Sequence, residues 1–241
     1  MTTRRFYAAP DQFEDKAITL DTDETRHLRD VLRLKTGDIV RVFDGVGREF
    51  ECEVDSIRKK ETSLQLVREV EPSAPESKLE ITLAAAVYKS DKLDLVVQKA
   101  VELGISSFVP VVSLRSESKL RDATKRVDRW RKIAMEATKQ CERALVMTVS
   151  EPLALDDFLA TTDDAPKFLF SEKGGGALPE GGEPSRITAL VGPKGGWEDN
   201  EIEAAVAHGF IAIKLGRRIM RAETAAIAFA AVLQHRFGDL N

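Results

Sequence analysis

Two hydrophobic patterns divide the chain and predict two kinds of fold. Up to about residue 71, apolar residues largely alternate with polar ones, as in Ile39–Phe43 and Glu49–Val54. Alternation is typical of strands with one buried face, and Asp44–Gly47 between these two strands predicts a hairpin turn. With a further strand at Ser63–Val67, this part of the chain is predicted to form a small β-barrel.

A short helix is predicted at Arg26–Arg33, ahead of the hairpin. Its spacing places Leu28, Val31 and Leu32 on one face and charged side chains on the other. This is the pattern of an amphipathic helix, with these three side chains on its apolar face.

From residue 78 onward, apolar strands alternate with helical patterns. The predicted strands are Ile81–Val87, Phe108–Val112, Phe168–Phe170, Ile187–Val191 and Ile211–Leu215. Nearly continuous apolar runs separated by helices indicate a parallel sheet that is buried on both faces. The predicted fold class is therefore α/β, preceded by a small β domain.

Three longer helices are predicted in this second part from capping residues and apolar spacing. Ser90–Asp91 would begin one that ends near Gly104, and Thr124 would begin one that buries Trp130. The last is predicted at Ala225–Phe237. These helices supply the crossovers that a parallel sheet requires.

The boundary between the two patterns is predicted in residues 72–77. Pro72 and Pro75 exclude a helix there and favour extended backbone. The predicted domains are therefore residues 1–71 and 78–241, joined by this linker.

Composition limits the classes of function. A net charge of −4 argues against a generally basic nucleic-acid-binding protein. No apolar run approaches the ~18 residues of a membrane span, and the polar first residues do not resemble a secretory signal. Two cysteines and three scattered histidines predict neither a disulfide framework nor a metal site. We therefore expect a reduced, cytoplasmic protein without a metal.

Two loops near the C-terminus form the candidate site. The first, Gly192–Gly196, lacks the glycine spacing of a dinucleotide-binding loop or a P-loop. Its three glycines leave the backbone open to a flat ligand, but a tight turn capped by Glu198–Asp199 explains them about as well. Nearby, Gly174–Pro184 is too rich in glycine and proline for a helix or strand, and it is predicted to be a loop beside the site.

The second loop, Lys214–Thr224, carries four basic residues around the apolar pair Ile219–Met220. A solvated charge run would not normally contain such a pair and lead into an alanine-rich helix. Arg221 is suited to bind a phosphate or carboxylate through its planar guanidinium, whereas Glu223 and Thr224 could be simple helix caps. Because both loops follow apolar strands, we expect them at neighbouring carboxyl ends of the sheet.

Positive charge is concentrated in one stretch of the chain. Between Arg115 and Arg143 there are ten Lys/Arg against five Asp/Glu. A local excess on an acidic protein is compatible with an RNA-binding face, although for Lys125–Lys132 alone a solvated helix face is the better explanation. Lys89 and Lys92, which follow a buried strand, are either substrate contacts or ordinary surface residues.

Six short motifs occur along the chain in a specific order. They are Arg26-His27-Leu28 with Val31-Leu32-Arg33, Gln98-Lys99 with Glu102-Leu103-Gly104, Gln140-Cys141 with Arg143, Gly192-Pro193-x-Gly195-Gly196, Leu215-Gly216-x-Arg218-x-x-Arg221-x-Glu223-Thr224, and Arg236-Phe237-Gly238-Asp239. In this order and spacing they closely resemble the ribosomal RNA small subunit methyltransferase E family, over essentially the whole chain.

The resemblance implies an S-adenosylmethionine-dependent enzyme that methylates N3 of a uridine in 16S ribosomal RNA. It also implies an N-terminal PUA-like β-barrel for RNA and a C-terminal SPOUT α/β domain, whose parallel sheet carries a deep trefoil knot, a rare exception among folds. The family site lies in the knot and at a homodimer interface. The implied partners are therefore 16S rRNA or the small ribosomal subunit, and a second copy of the chain.

Carried over to this chain, the resemblance places a cofactor site, and our mechanistic hypothesis adds two catalytic residues. Arg221 would stabilise negative charge on the uracil carbonyls, and Glu223 would accept the N3 proton. The cofactor-binding residues would be Leu169, Phe170, Ser171, Glu172, Val191, Gly192, Pro193, Gly195, Gly196, Leu215, Gly216, Ile219, Met220, Arg221 and Thr224. The predicted RNA contacts are Arg4, Arg5, His27, Arg29, Arg33, Lys89, Lys92, Arg115 and Arg143.

The chain departs from the family pattern in two places. Lys194 replaces the glutamate that is usual in the first loop, and Leu145 and Met147 stand where an arginine and then a proline commonly follow Arg143. The reversed charge at Lys194 keeps an alternative open: a non-catalytic RNA-binding ribosome assembly factor with the same fold. A nucleotide or phosphosugar enzyme is disfavoured by the missing loop spacings.

Overall fold

The computed structural model describes residues 4–88, 91–161 and 164–240. It contains two compact units. The first consists of the chain up to Glu76 together with Thr138–Val146, and the second of Ser77–Ala137 with the chain from Met147 onward. The domain limits predicted from the sequence, residues 1–71 and 78–241, do not assign Thr138–Val146 to the first unit. They stay a prediction.

The described part of the first unit is built on six strands and one short α-helix. The strands are β1 (Arg5–Tyr7), β2 (Phe13–Glu14), β3 (Ala17–Leu20), β4 (Ile39–Phe43), β5 (Glu49–Ile57) and β6 (Thr62–Val70), and helix α1 spans Thr22–Arg26. Their order is β1-β4-β5-β6-β3-β2, with only the pair β1 and β4 parallel. The predicted hairpin is confirmed, because β4 and β5 pair from Ile39 opposite Glu53 to Phe43 opposite Glu49.

Alternation along these strands builds the core of the first unit. Val40 and Val42 of β4, Cys52 of β5 and Leu64 of β6 are buried in one apolar cluster. The polar residues Arg41, Glu51, Glu53 and Gln65 beside them on the strands are more exposed, as the period of two requires, whereas Phe43 at the end of β4 is also buried.

A π-helical turn replaces the predicted short α-helix. It spans His27–Val31, and the Leu32 N–H donates to the His27 carbonyl at 3.0 Å. A π turn contains more residues than an α turn, so the spacing that put Val31 beside Leu28 does not hold. Leu28 is fully buried, whereas Val31 is 64% exposed. The prediction that Val31 shares a face with Leu28 is therefore wrong.

The second unit contains a parallel sheet of seven strands. They are β7 (Glu80–Ala86), β8 (Ser107–Val112), β9 (Thr148–Val149), β10 (Leu153–Ala154), β11 (Lys167–Phe170), β12 (Arg186–Val191) and β13 (Phe210–Ile213). The order is β10-β8-β7-β12-β11-β13, with β9 also paired to β8, and every pair is parallel. The predicted α/β class is confirmed. Strands β7 and β12 lie in the middle of the sheet and are almost entirely buried, which explains their continuous apolar runs.

Six helices accompany this sheet: α2 (Lys92–Glu102), α3 (Leu120–Thr124), α4 (Val127–Gln140), α5 (Leu155–Ala160), α6 (Asp199–Ala207) and α7 (Ala222–Phe237). The predicted cap at Thr124 is wrong. Thr124 ends α3, and its hydroxyl donates to the Leu120 carbonyl at 3.1 Å, so α4 begins only at Val127. Within the described residues, no helix is long and apolar enough to cross a membrane.

Candidate active site

The candidate active site lies at the carboxyl edge of the parallel sheet. The segments that follow the adjacent strands β11 and β12 meet the start of α7 there, which is where α/β sheets form ligand clefts. One cavity is lined by Phe170, Ser171, Glu172, Lys173, Val191, Gly192, Pro193, Lys194, Gly195, Gly196, Trp197, Ile202, Met220, Ala222 and Ala225. The structure thus brings together most of the residues predicted to bind the cofactor.

Six residues predicted to bind the cofactor do not line this cavity. They are Leu169, Leu215, Gly216, Ile219, Arg221 and Thr224. Leu169 is buried among core residues that include Trp197, because successive side chains of a strand point to opposite faces. Ile219 is 84% exposed. Of the second loop, Met220 and Ala222 line the cavity.

The first loop begins with glycine because the side chain of Trp197 packs against that position. Its indole N–H donates to the Phe170 carbonyl at 3.0 Å, which ties the loop to the end of β11. A Cβ atom at Gly192 would lie 2.8 Å from two atoms of the indole ring. Gly192 is therefore required by the packing of Trp197, and its own φ is not in the left-handed region.

The rest of the first loop is a tight turn that leads into α6. The Gly196 N–H donates to the Pro193 carbonyl at 2.9 Å, and Gly196 has a φ of +69°, which favours glycine. Glu198 is the N-cap residue of α6, and its N–H donates to Glu201 Oε2 at 2.9 Å. The strand-to-helix turn considered from the sequence is confirmed, and the same turn lines the cavity.

The two predicted catalytic residues lie at the start of α7. Arg221 is its exposed N-cap residue. Glu223 accepts a hydrogen bond from the Lys92 ammonium at 2.6 Å. Partial burial alone would raise the pKa of Glu223, but the Lys92 hydrogen bond and the Lys92 and Arg221 charges hold that pKa below its ordinary value. Glu223 is therefore a carboxylate at neutral pH, and Lys92, predicted to contact RNA, is its ion-pair partner.

Tyr88 adds a buried phenol to this neighbourhood. It lies just beyond β7, after Val87, and is 3% exposed, and its hydroxyl has no hydrogen-bond partner within the described part of the chain. Burial, and secondly the charge of Glu223, raises the pKa of Tyr88. The carbonyl of Tyr88 accepts from Arg126 at 2.7 Å. Lys89, a predicted RNA contact, lies outside the described residues.

Two predicted RNA contacts, Arg5 and Arg143, are buried in the first unit and require correction. The Arg5 side chain donates to Glu49 at 3.2 Å and to the Arg143 carbonyl at 2.7 Å, and it lies 4.0 Å over the ring of Phe43. Arg143 forms a fork on the Glu76 carboxylate at 2.7 and 3.0 Å. Side chains enclosed in this way hold the first unit together, and little of their surface is left for a phosphate.

Glu49 is the centre of this buried network. Besides Arg5, it accepts from the backbone N–H and the hydroxyl of Ser73, each at 3.0 Å, and from Arg41 at 3.5 Å. Burial alone would raise the pKa of Glu49, but the hydrogen bonds from Ser73 and Arg5 hold it below its ordinary value. The carboxylate is therefore stabilised in its ionised form.

The remaining predicted RNA contacts of the first unit are at its surface. Arg4 is half-exposed beside Asp38, and Arg29 pairs with Asp30 at 2.7 Å. His27 is exposed in the π turn, and Arg33 follows that turn with a φ of +54°. These four residues stay predicted RNA contacts.

The basic excess from Arg115 to Arg143 is largely paired with acidic side chains. Arg126 and Arg129 both face the buried Asp94. Arg115 pairs with Glu198 beside the first loop, and its RNA contact stays a prediction. The basic surface is therefore smaller than the composition suggests.

The sequence reasoning missed several cavity residues: Lys173, Trp197, Ile202, Ala222 and Ala225. Trp197 adjoins the glycine turn, so its position was a usable signal. The alanines had none, because they look like ordinary residues of a buried helix face. Within the described residues, no group of three or more His, Cys, Asp or Glu side chains could hold a metal ion.

Comparison with known proteins identifies the family. A model of the RNA methyltransferase domain matches residues 75–234, and a model of the RNA methyltransferase PUA domain matches residues 20–67. Ribosomal RNA small subunit methyltransferase E of Synechocystis is 32% identical over 236 residues, which cover 95% of this chain and 76% of that protein. The chain belongs to the ribosomal RNA small subunit methyltransferase E family. The family expected from the motifs is confirmed.

A further relative and two solved structures are similar to nearly the whole chain. The protein of Rickettsia conorii is 31% identical over 237 residues, covering 96% of this chain and 95% of its own. The Neisseria gonorrhoeae enzyme, solved bound to S-adenosyl methionine, is 32% identical with a TM-score of 0.90, covering 99% of this chain and 100% of that one. A methyltransferase structure from Legionella pneumophila in complex with the bound cofactor SAM is 29% identical with a TM-score of 0.89, and both chains are covered completely. The prediction of an RNA methyltransferase with a PUA domain is confirmed.

Proposed function

We propose that this methyltransferase E family member transfers a methyl group from S-adenosylmethionine to N3 of a uridine in 16S rRNA of the small ribosomal subunit. The observation that carries the proposal is the cavity shared by the first loop, the end of β11 and the start of α7. Relatives over nearly the whole chain are named for small-subunit ribosomal RNA, and two similar structures contain the cofactor.

The residues of the cavity suit S-adenosylmethionine chemically. Val191, Met220 and Ala225 offer an apolar wall for an adenine ring, and the peptide groups of Gly192–Gly196 offer hydrogen-bond donors and acceptors beside it. Glu172 offers a carboxylate for the hydroxyl or ammonium groups. When bound, the cofactor supplies an electrophilic methyl group. The chain's own residues bind and orient it and exclude water.

Arg221 and Glu223 act on the uridine in this proposal. N3 of uracil carries a weakly acidic proton that must leave before the nitrogen can attack the methyl group, and the Glu223 carboxylate accepts it. Negative charge then develops on the uracil carbonyls, where the Arg221 guanidinium stabilises it. Because Lys92 makes Glu223 a weaker base, we assign the larger share of the rate to Arg221. The target base must be turned out of its stack to reach the site.

Four finer features belong to the same proposal. The parallel sheet, in which β12 lies between the earlier strands β7 and β11, supports the deep trefoil knot implied by the resemblance. A homodimer would complete the site with residues of the second copy, and sedimentation equilibrium tests it. The RNA contacts of the first domain would be Arg4, His27, Arg29 and Arg33. We keep the domain limits predicted from the sequence, residues 1–71 and 78–241. The protein would act in the cytoplasm, where its ribosomal RNA substrate is found.

The experiment uses 16S rRNA transcripts and unmodified small subunits with labelled S-adenosylmethionine, followed by mass spectrometry of the nucleosides. We expect 3-methyluridine at one nucleotide. A methyl group on carbon 5 or on the ribose would refute the N3 assignment. Calorimetric titration with the cofactor accompanies it, using a Gly195→Trp variant as the blocked control. A folded wild-type protein that binds no cofactor would favour the RNA-binding assembly factor. Lys194→Glu, which restores the residue usual in the family, would then be the first variant to test.

A further inference from the structure

The segment Ser113–Glu117, directly after β8, contacts the first loop at several points. Its central residue Arg115 donates from Nη1 to the Gly195 carbonyl at 2.6 Å and from Nε to Glu198 Oε1 at 2.6 Å. One guanidinium therefore joins the turn of the loop to the N-cap residue of α6. We refer to Ser113–Glu117 as the brace.

The buried carboxylate of Glu201 holds the brace through a hydrogen bond to its backbone. Glu201 is 6% exposed, and its Oε1 accepts from the Leu114 N–H at 2.8 Å while its Oε2 accepts from the Glu198 N–H. Within the brace, the Ser113 N–H donates to Ser116 Oγ at 3.0 Å and the Ser116 N–H to the Ser113 carbonyl at 3.1 Å. The brace is thus held independently of the loop that it contacts.

The result is that one peptide unit of the first loop is held at both ends. The carbonyl of Gly195 accepts from Arg115, and the N–H of the same peptide unit, that of Gly196, donates to Pro193. A glycine turn has many accessible conformations, and ordering it upon ligand binding costs free energy. Arg115 restricts that freedom before a ligand arrives.

We infer that Arg115 is a positioning residue, which holds the first loop in the conformation that binds S-adenosylmethionine. The inference rests on the cofactor site proposed above. It replaces the RNA contact predicted for Arg115, since Nη1 of the guanidinium donates to the loop and Nε to the N-cap residue that follows it. Gly195 fits the same geometry, because a Cβ atom there would lie 3.2 Å from Cδ of Arg115.

Arg115 affects the order of the first loop more than it affects the free energy of unfolding. The Arg115 and Glu198 side chains are 37% and 39% exposed, and ion pairs at that exposure contribute little to folding. Truncating Arg115 should therefore leave a folded protein whose first loop is less well ordered.

The test compares Arg115→Met, Arg115→Lys and Arg131→Met. Arg131 is a matched control in the same unit, because it also donates to a carbonyl, that of Val149, and to a glutamate, Glu151. For each variant we would measure the cofactor dissociation constant by calorimetry, the RNA dissociation constant at several salt concentrations, and the thermal midpoint without ligand.

For Arg115→Met we expect a cofactor dissociation constant about tenfold higher, the loss typical of a charge-assisted hydrogen bond. The RNA affinity and its salt dependence should stay unchanged. Arg115→Lys should show an intermediate loss, because an ammonium lacks the planar fork. Arg131→Met should bind the cofactor like the wild type.

Other results would overturn the inference. Unchanged cofactor binding with weaker RNA binding and a salt slope reduced by about one would make Arg115 a phosphate contact. Unchanged binding of both ligands would make it a surface ion pair without function. The calorimetric stoichiometry reports the folded fraction, so a destabilised variant still gives an answer. If the wild type binds no cofactor, the proposed function fails before the brace is tested.

Discussion

The Lys92 ammonium and the Glu223 carboxylate lie 2.6 Å apart and join the first residue of α2 to the second residue of α7. Sequence reasoning assigned these residues to different partners, RNA for Lys92 and the uridine proton for Glu223. The ion pair connects the two roles, because the charge on Lys92 lowers the pKa of the proposed proton acceptor.

Replacing Lys92 by Met should shift the pH dependence of methyl transfer. Glu223 must be ionised to accept a proton, and its pKa is lowered in the native protein, so loss of Lys92 raises that pKa. The activity of the variant should therefore decline at a higher pH than that of the wild type as the pH is lowered. Lys99→Met, which breaks the Lys99–Glu102 pair of the same helix, is the control. A profile that does not move would remove Glu223 from the reaction.

Replacing Arg221 by Ala should lower kcat by about 100-fold or more, the usual effect of deleting a group that stabilises developing negative charge. Because Arg221 does not line the cavity, the affinity for the cofactor should stay within several-fold. Single-turnover kinetics and calorimetry separate the two quantities. Arg217→Ala, an exposed arginine of the same loop, controls for the general loss of charge. Normal turnover in the Arg221 variant would defeat the assignment.

Replacing Gly192 by Ala should destabilise the protein and impair the cofactor site together. The added Cβ would lie 2.8 Å from the indole of Trp197, and overpacking of this kind costs about 1–3 kcal/mol. Gly174→Ala is a matched control, because nothing lies within 4 Å of a Cβ there. Denaturant unfolding and cofactor titration are the measurements. An unchanged free energy of unfolding would show that Trp197 can move aside.

Replacing Glu49 by Gln should lower the free energy of unfolding by about 3 kcal/mol, because Arg5 is left buried without its counter-charge. Glu51→Gln, in a more exposed pair with Arg68, should cost less than about 1 kcal/mol. Chemical denaturation of both variants tests the difference.

The same glutamate predicts a pH dependence of stability. The pKa of Glu49 in the folded protein is lowered from 4.5, so its contribution is fully present above about pH 4.5 and is lost as the pH falls through the folded pKa. The difference between the wild type and Glu49→Gln should therefore shrink below that pH. A difference that is constant across the acid range would contradict the ionised pair.

The first loop, Gly192–Gly196, could be predicted only in part from the sequence around it. The glycine spacing and the apolar strand before it were sufficient to predict a turn at the edge of a parallel sheet, and Gly192–Gly196 line the cavity there. The spacing could not reveal why each glycine is present. A Cβ atom at Gly192 would collide with Trp197, and one at Gly195 would crowd Arg115. Arg115 is 80 residues away from Gly195 in the chain.

The sequence by itself determined the two classes of strand, the hairpin, the parallel α/β unit and the family, because periodicity, turn residues and motif order are properties of neighbouring positions. Only the tertiary structure decided what the charged residues do. Arg5 and Glu49 are 44 residues apart in the chain, and Lys92 and Glu223 are 131 apart. Whether an arginine or lysine meets solvent, RNA or a buried carboxylate depends on such distant partners and on the desolvation that accompanies them, and neither is encoded in the spacing around the residue itself.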